Sequence, residues 1–257
     1  MEIQRSAGPN QEIETTTMQW LDLTLADPAA NLALDEALLE RAEASEDPAE
    51  CLRVWESSDP LVVVGRGSSL ATEVDLSRCA HDHVPVLRRC SGGAAIVAAR
   101  GCLFYALVLN FELRPALRKI DQAHEFVLGE ICAALAGSDA DLELAGTSDL
   151  AVRGRKVSGN SLRLRRRHLL YHGTLLYDMA LPLATRYLHP PPREPDYRAG
   201  RSHADFIANL NVGRAELMGS LRRQWNAQAE MGGWPEESVD RLVDEKYGQE
   251  AWTRSVP

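Results

Sequence analysis

The sequence predicts an α+β fold in which a mostly antiparallel sheet is flanked by helices. Residues 18–25 alternate apolar and polar side chains at close to period two, the pattern of a half-buried strand. Further short apolar segments follow one another in hairpin-like succession, punctuated by Gly and Pro. Helical stretches rich in Ala, Leu and Glu are interspersed without regular strand–helix alternation, so a doubly wound fold fits less well. The 257 residues, 45% hydrophobic and 25% charged, supply enough apolar material for a large core.

Residues 1–17 have almost no apolar content and read as a flexible arm. The strand at 18–25 closes in the turn Asp27-Pro28. Residues 31–43 form an amphipathic helix with Leu34, Leu38 and Leu39 on one face. A strand at 52–55, the turn Ser57 to Pro60 and an apolar strand at 61–64 lead into Gly65-Arg66-Gly67. Residues 73–81 read as a helix, 84–89 as a strand and 90–93 as a loop. Segments 94–97 and 103–109 read as the arms of a hairpin around Ala99-Arg100-Gly101, and 120–135 as a long helix. A strand pair, 148–152 and 156–164, turns at Arg153-Gly154 and is followed by a strand at 169–177. A Pro-rich loop at 188–195 precedes a helical pattern over 212–247 that is interrupted at 232–235.

Thirty-seven acidic against 28 basic residues give a formal charge of −9, which argues against general affinity for nucleic acid or an anionic membrane. The longest apolar runs, at 61–64 and 94–99, fall far short of the ~20 residues that span a bilayer. The acidic and polar start lacks the features of a signal peptide, so a cytoplasmic location is expected. Five cysteines without a CxxC pair are expected to stay thiols, and no Cys/His spacing resembles a zinc site.

Three stretches could carry chemistry. In Arg88-Arg89-Cys90-Ser91-Gly92-Gly93-Ala94-Ala95, small residues let a ligand approach backbone amides while two guanidiniums could neutralise phosphate or carboxylate; a tight turn with surface arginines is an equal alternative. Lys156 opens a strand between Gly154 and Gly159, where an ammonium could be held near a carbonyl or phosphate. A solvated turn lysine is the commoner outcome for such a residue. In the stretch 168–176, His172 and Thr174 share a face beside Gly173; a histidine satisfied within a sheet is again the commoner case. Residues 153–167 hold seven of the 28 basic residues and no acidic one, a reversal of sign suited to steering an acidic partner. No GxSxG elbow points to a serine hydrolase.

In this order the stretches resemble the catalytic domain of the lipoate-protein ligase A family, within the biotin/lipoate protein ligase superfamily. Asn31 to Leu39 resembles the family's first helix, Val62 to Arg66 its early strand and glycine turn, and Val86 to Ala95 its arginine, serine and glycine signature. Gly154 to Ser161 and His172 to Leu176 resemble its lysine and histidine-glycine motifs. The resemblance implies a biotin/lipoate protein ligase-like fold with a catalytic domain over 18–211 and a helical tail over 212–257 in place of a full accessory domain. It also implies that a lipoyl or octanoyl chain lies in an apolar tunnel lined by strands such as 62–64, beside Gly92 and Gly93. Lys156 would be catalytic, holding the acyl carbonyl or acyl phosphate. Arg88, Arg89, Ser91, Gly92, Gly93, Ala94, Ala95, Ser158, Gly159, Asn160, His172, Gly173 and Thr174 would bind substrate or nucleotide, and Asp149 could hold Mg²⁺ near ATP phosphates. Lipoate or octanoate would pass through an acyl-adenylate to a lysine of an acidic lipoyl domain, with room for a separate accessory chain in activation. The chain departs from the family pattern at Ala94, Cys102 and Ser148. Two alternatives stand beside this reading: transfer of octanoyl or lipoyl between carrier proteins through a cysteine thioester, and a non-catalytic carrier-binding module.

Overall fold

The computed structural model describes residues 18–137 and 141–255; the arm expected over 1–17 lies outside the described residues. The large sheet has the order β11 (Ala229–Glu230), β1 (Gln19–Asp22), β2 (Cys51–Glu56), β6 (Cys102–Asn110), β10 (His168–Leu176), β9 (Arg155–Leu164), β8 (Asp149–Val152), β7 (Leu142–Ala145). Strand β1 runs parallel to β2 and β11, and every other pairing in this sheet is antiparallel. A small sheet of β4 (Val86–Arg88), β3 (Leu61–Val64) and β5 (Ile96–Ala98) stands beside it.

Helix α1 (Pro28–Ala44) begins where the Asp27 side chain accepts from the Ala29 amide and Pro28 supplies a preset φ. It packs on one face of the large sheet, against Phe104, Ala106 and Val108. The other face receives Leu103, Tyr105, Leu107 and Leu109 together with Val127, Leu128 and Ile131 of a later helix. Alternate residues of β6 thus enter two cores, and a strand covered on both faces reads as one continuous apolar run.

Residues 73–81 do not form one helix. Short α2 (Leu70–Glu73) ends at Val74, which is extended and bridges Leu188, and Asp75 then caps α3 (Leu76–His81) by accepting from the Arg78 amide at 2.8 Å. The hairpin expected from 94–97 and 103–109 is likewise corrected, since β5 pairs with β3 and β6 with β2 and β10. The turn between them is docked on the end of β10: Gly101, at φ +88°, accepts from the Tyr177 and Asp178 amides, and a Cβ there would lie 2.1 Å from the Asp178 carbonyl carbon. The chain therefore steps from one sheet to the other.

Helix α4 (Ile120–Ala134) covers the second face of the sheet. Short α5 (Pro182–Tyr187) and α6 (His203–Phe206) bracket the Pro-rich loop, and α7 (Arg214–Gln224) puts Leu217, Leu221 and Trp225 into the core with α4. Beyond β11, α8 (Glu236–Leu242) and a π turn at Val243–Tyr247 lie along α1, with Val239, Leu242 and Tyr247 buried there, and α9 (Glu250–Thr253) reaches β4. No helix among the described residues is long and apolar enough to cross a membrane.

Candidate active site

The β8–β9 hairpin turns through Arg153 and Gly154, both at positive φ, as a two-residue primed turn requires. A register shift between Leu150 and Ala151 sets Asp149 opposite Gly159, with Lys156 two positions beyond the partner of Leu150. The Lys156 ammonium folds back over Gly159, where a Cβ would lie 2.9 Å from Nζ, and pairs with Asp149 Oδ1 at 2.7 Å. Tyr197 donates to the other Asp149 oxygen at 2.8 Å; burial and the Asp149 charge push its phenol well above the usual value, which keeps the donor protonated.

Two cavities meet at this pair. The larger, about 370 Å³, is walled by Leu32, Val63, Ile96 and Phe104 and edged by Gly93, Ala94, Ala95, Asn160, Ser161, His172, Gly173 and Thr174. Asp35, Arg89, Asp149 and Glu194 give the larger cavity a charged lining, whereas the smaller, about 140 Å³, is mostly apolar, with Leu176, Met179, Phe206 and Ile207 beside Ser158, His189, His203 and Arg198. Ala94, Ala95, Ile96, Lys156, Gly159, Thr174, Arg193 and Pro195 line both. Of the strand expected to line a tunnel only Val63 does so, because Val62 and Val64 point into a separate cluster with Val74 and Tyr187.

The two signature arginines sit differently from the expectation. Arg88 donates to the Gly65, Arg66 and Ser68 carbonyls at 2.6, 3.0 and 2.9 Å and to Thr253 O at 3.0 Å, so its charge is spent on loop carbonyls behind the cavity. Arg89 lines the larger cavity, yet its guanidinium is bonded to the Gly92, Val63 and Ala94 carbonyls. A loop of consecutive small residues exposes many carbonyls, and these capture the nearest donors. Gly92 is exposed and accepts from Ser161, Gly93 adopts φ +87° and accepts from Ser68, and the Ala95 amide donates to Glu73 at 2.6 Å.

Behind Ser91 and His172 runs a buried chain of charges that the motifs did not reveal. Ser91 Oγ meets His172 Nε2 at 2.5 Å, His172 Nδ1 lies 3.5 Å from Asp35, and Asp35 pairs with Arg53 at 2.5 Å. Arg53 is fully buried and also donates to Asn31 and the Leu23 carbonyl. The signal in the sequence was a lone Arg in the apolar strand Cys51–Glu56 and a lone Asp among the apolar residues of α1; no spacing rule links the two. Asn160, held by Tyr105 and by its own bond to the Ser148 carbonyl at 2.8 Å, occupies the space a Cβ on Gly173 would need.

The basic run of 153–167 is largely consumed internally. Arg155 holds the Ile207 carbonyl, Arg163 and Arg165 face Glu36, and Arg167 grips the carbonyls of Glu43 and Ser45. Among the described residues, Arg153 and Arg166 keep guanidiniums without a protein partner, which narrows the surface expected to steer an acidic domain. Burial pushes the Cys102 thiol up to about 12 and raises Cys90. No group of three or more His, Cys, Asp or Glu side chains among the described residues is arranged to hold a metal.

The family model of the lipoyl protein ligase A/B catalytic domain matches residues 27–218, a span that contains both cavities' motif residues. The chain belongs to this family. A Mycoplasma pneumoniae relative named probable lipoate-protein ligase A is 30% identical over 162 residues, 63% of this chain and 46% of its own. The chain thus spans about half the length of the curated relatives it matches first. Among solved structures it is similar to a bipartite lipoate protein ligase of Thermoplasma acidophilum, described with its E2 lipoyl domain, at a TM-score of 0.79 and 21% identity, covering 94% of this chain and 98% of that one. It is also similar to a lipoate-protein ligase A bound with ATP, at a TM-score of 0.70 and 21% identity over 94% of this chain and all of the other. The α+β architecture is therefore that of the lipoate protein ligases.

Proposed function

We propose that the chain is an enzyme that attaches lipoate or octanoate to a lysine of a lipoyl domain through an acyl-adenylate made from ATP. The observation that carries this reading is Lys156, a cation held by Asp149 where two cavities meet. The apolar wall of the larger, Leu32, Val63, Ile96 and Phe104, suits a medium acyl chain, and Lys156, Asp149 and Arg193, which also line it, suit the phosphates of a nucleotide. The amine of the carrier lysine attacks the acyl carbonyl, an amide C–N bond forms, the C–O bond to the adenylate phosphate breaks, and AMP and a proton leave. Lys156 supports the negative charge that grows on the carbonyl oxygen. His172 and Thr174, two residues apart on β10, shape the acyl wall, and Gly159 and Gly173 leave room against it.

Mg²⁺ would neutralise the ATP phosphates, with Asp149 as its ligand on this chain. Both Asp149 oxygens are now bonded, to Lys156 and Tyr197, so metal binding means sharing or displacing these partners. The family membership and the bipartite make-up of the similar Thermoplasma ligase favour a separate accessory chain for activation. The thioester alternative needs a thiolate, and burial holds Cys90 and Cys102 protonated.

The test is incubation with lipoate or octanoate, ATP, Mg²⁺ and an apo lipoyl domain, with and without an accessory chain, reading the carrier's mass. One acyl group on the carrier lysine supports the proposal. No transfer even from supplied lipoyl-adenylate overturns it, and an acyl-thioester on Cys90 or Cys102 moves the assignment to the transferase.

A further inference from the structure

The signature loop is anchored by a segment beyond the span that the family model matches. Trp252, on α9, donates its indole N–H to the Arg88 carbonyl at 2.8 Å, and the next residue's carbonyl accepts from Arg88 Nε at 3.0 Å. These two bonds grip Arg88 from both sides. Arg88 in turn holds the 65–68 turn, whose Ser68 hydroxyl donates to Gly93 O at 2.9 Å and whose Arg66 amide donates to Ser91 O at 2.7 Å. Upstream on the same segment, Lys246 and Tyr247 bind Glu36 of α1 at 2.5 and 2.6 Å, and the Lys246 ammonium lies 4.4 Å from the Trp252 ring centroid.

We propose that Val243–Thr253 is a clasp and Trp252 a positioning residue: through Arg88 it fixes the backbone of residues 88–95 where it walls the larger cavity. No residue of the segment lines either cavity, so its effect is on pre-organisation of the site. The inference rests on the proposed function only in taking the larger cavity as the acyl site. A loop with few side chains has little packing of its own to hold one shape, and anchoring from outside removes the cost of ordering it when a ligand arrives.

The experiment uses the full chain with Trp252→Phe, which deletes the N–H but keeps an aromatic ring on Lys246 and Tyr247, Trp252→Ala, which deletes both, and Arg254→Ala as an exposed control just after α9. Amide hydrogen exchange at residues 88–95 is read together with lipoic acid binding and with single-turnover transfer from saturating lipoyl-adenylate. Loss of one such hydrogen bond predicts roughly three- to ten-fold faster exchange and a similar weakening of lipoic acid binding in Trp252→Phe. Trp252→Ala shows a larger effect and the control none, while the saturated transfer rate stays within about two-fold in every variant because the reacting groups are untouched. Unchanged exchange in folded Trp252→Phe overturns the clasp, as does an equal change in Arg254→Ala. Should the parent protein bind no lipoic acid, the functional reading fails while the exchange arm still decides the clasp.

Discussion

Arg89 and Lys156 both bring a cation to the wall of the larger cavity, but they are held in opposite ways. Arg89 is buried with its guanidinium bonded to the loop carbonyls of Gly92 and Ala94 and to the Val63 carbonyl of β3, whereas Lys156 has a single ion-pair partner and a side chain 27% exposed. The first arrangement spends charge on shape, since carbonyls crowded by a tight loop need donors. The second leaves a charge that an incoming carbonyl or phosphate can share. The signature loop is thus a rigid wall, and the Lys156 hairpin carries the reacting cation.

The largest expected effect comes from breaking what supports the rigid side. Arg53→Met leaves Asp35 charged and buried without its partner, which costs about 3–5 kcal/mol; denaturant unfolding reads the loss. Gly65→Ala is the next test, because the new Cβ would lie 1.8 Å from Gly93 O and must push the two glycine turns apart. A cost of about 1–3 kcal/mol and weaker lipoic acid binding are expected, against no change for Gly92→Ala, where nothing lies within 4 Å.

Glu36 gives a pH test of the anchoring. Burial raises its pKa, but hydrogen bonds from Lys246 and Tyr247 and the charges of Lys246 and Arg163 outweigh that, and the net direction is down from 4.5. A depressed carboxylate contributes stability that is present above its unfolded pKa and is lost as the pH falls through the folded one. Thermal melts should therefore fall below about pH 4.5, and Glu36→Gln should flatten that acid limb relative to the parent. On the hairpin side the smallest effect is expected: Arg153→Ala with Arg166→Ala should slow association with an acidic lipoyl domain by roughly two- to three-fold at low salt, an effect that added salt removes. Stopped-flow association across a salt series measures it.

How much of this was legible in the sequence follows the range of the interactions. The apolar run of β6, the Arg153-Gly154 turn and the Lys156–Gly159 spacing are local, and local pattern placed them. The family resemblance then grouped the signature loop, the lysine and the histidine-glycine motif, and the fold brings the residues around Lys156, Gly93 and His172 to one cavity. What stayed hidden depends on partners far apart in the chain. Arg53 needs Asp35, the Ala95 amide needs Glu73, and Arg88 needs Thr253, and none of these pairs leaves a periodic trace. The misread hairpin at 94–109 has the same origin, because the contact of Gly101 with Asp178 sends its two arms into different sheets.

The central claim is that Lys156 stabilises the charge developing at the acyl carbonyl. The most direct measurement is single-turnover transfer from preformed lipoyl-adenylate to an apo lipoyl domain by the parent protein and by folded Lys156→Ala and Lys156→Arg. Loss of about 10²-fold or more in rate is expected in Lys156→Ala, without rescue by the broader, planar guanidinium and without loss of the fold. Transfer by folded Lys156→Ala at close to the parent rate would contradict the account.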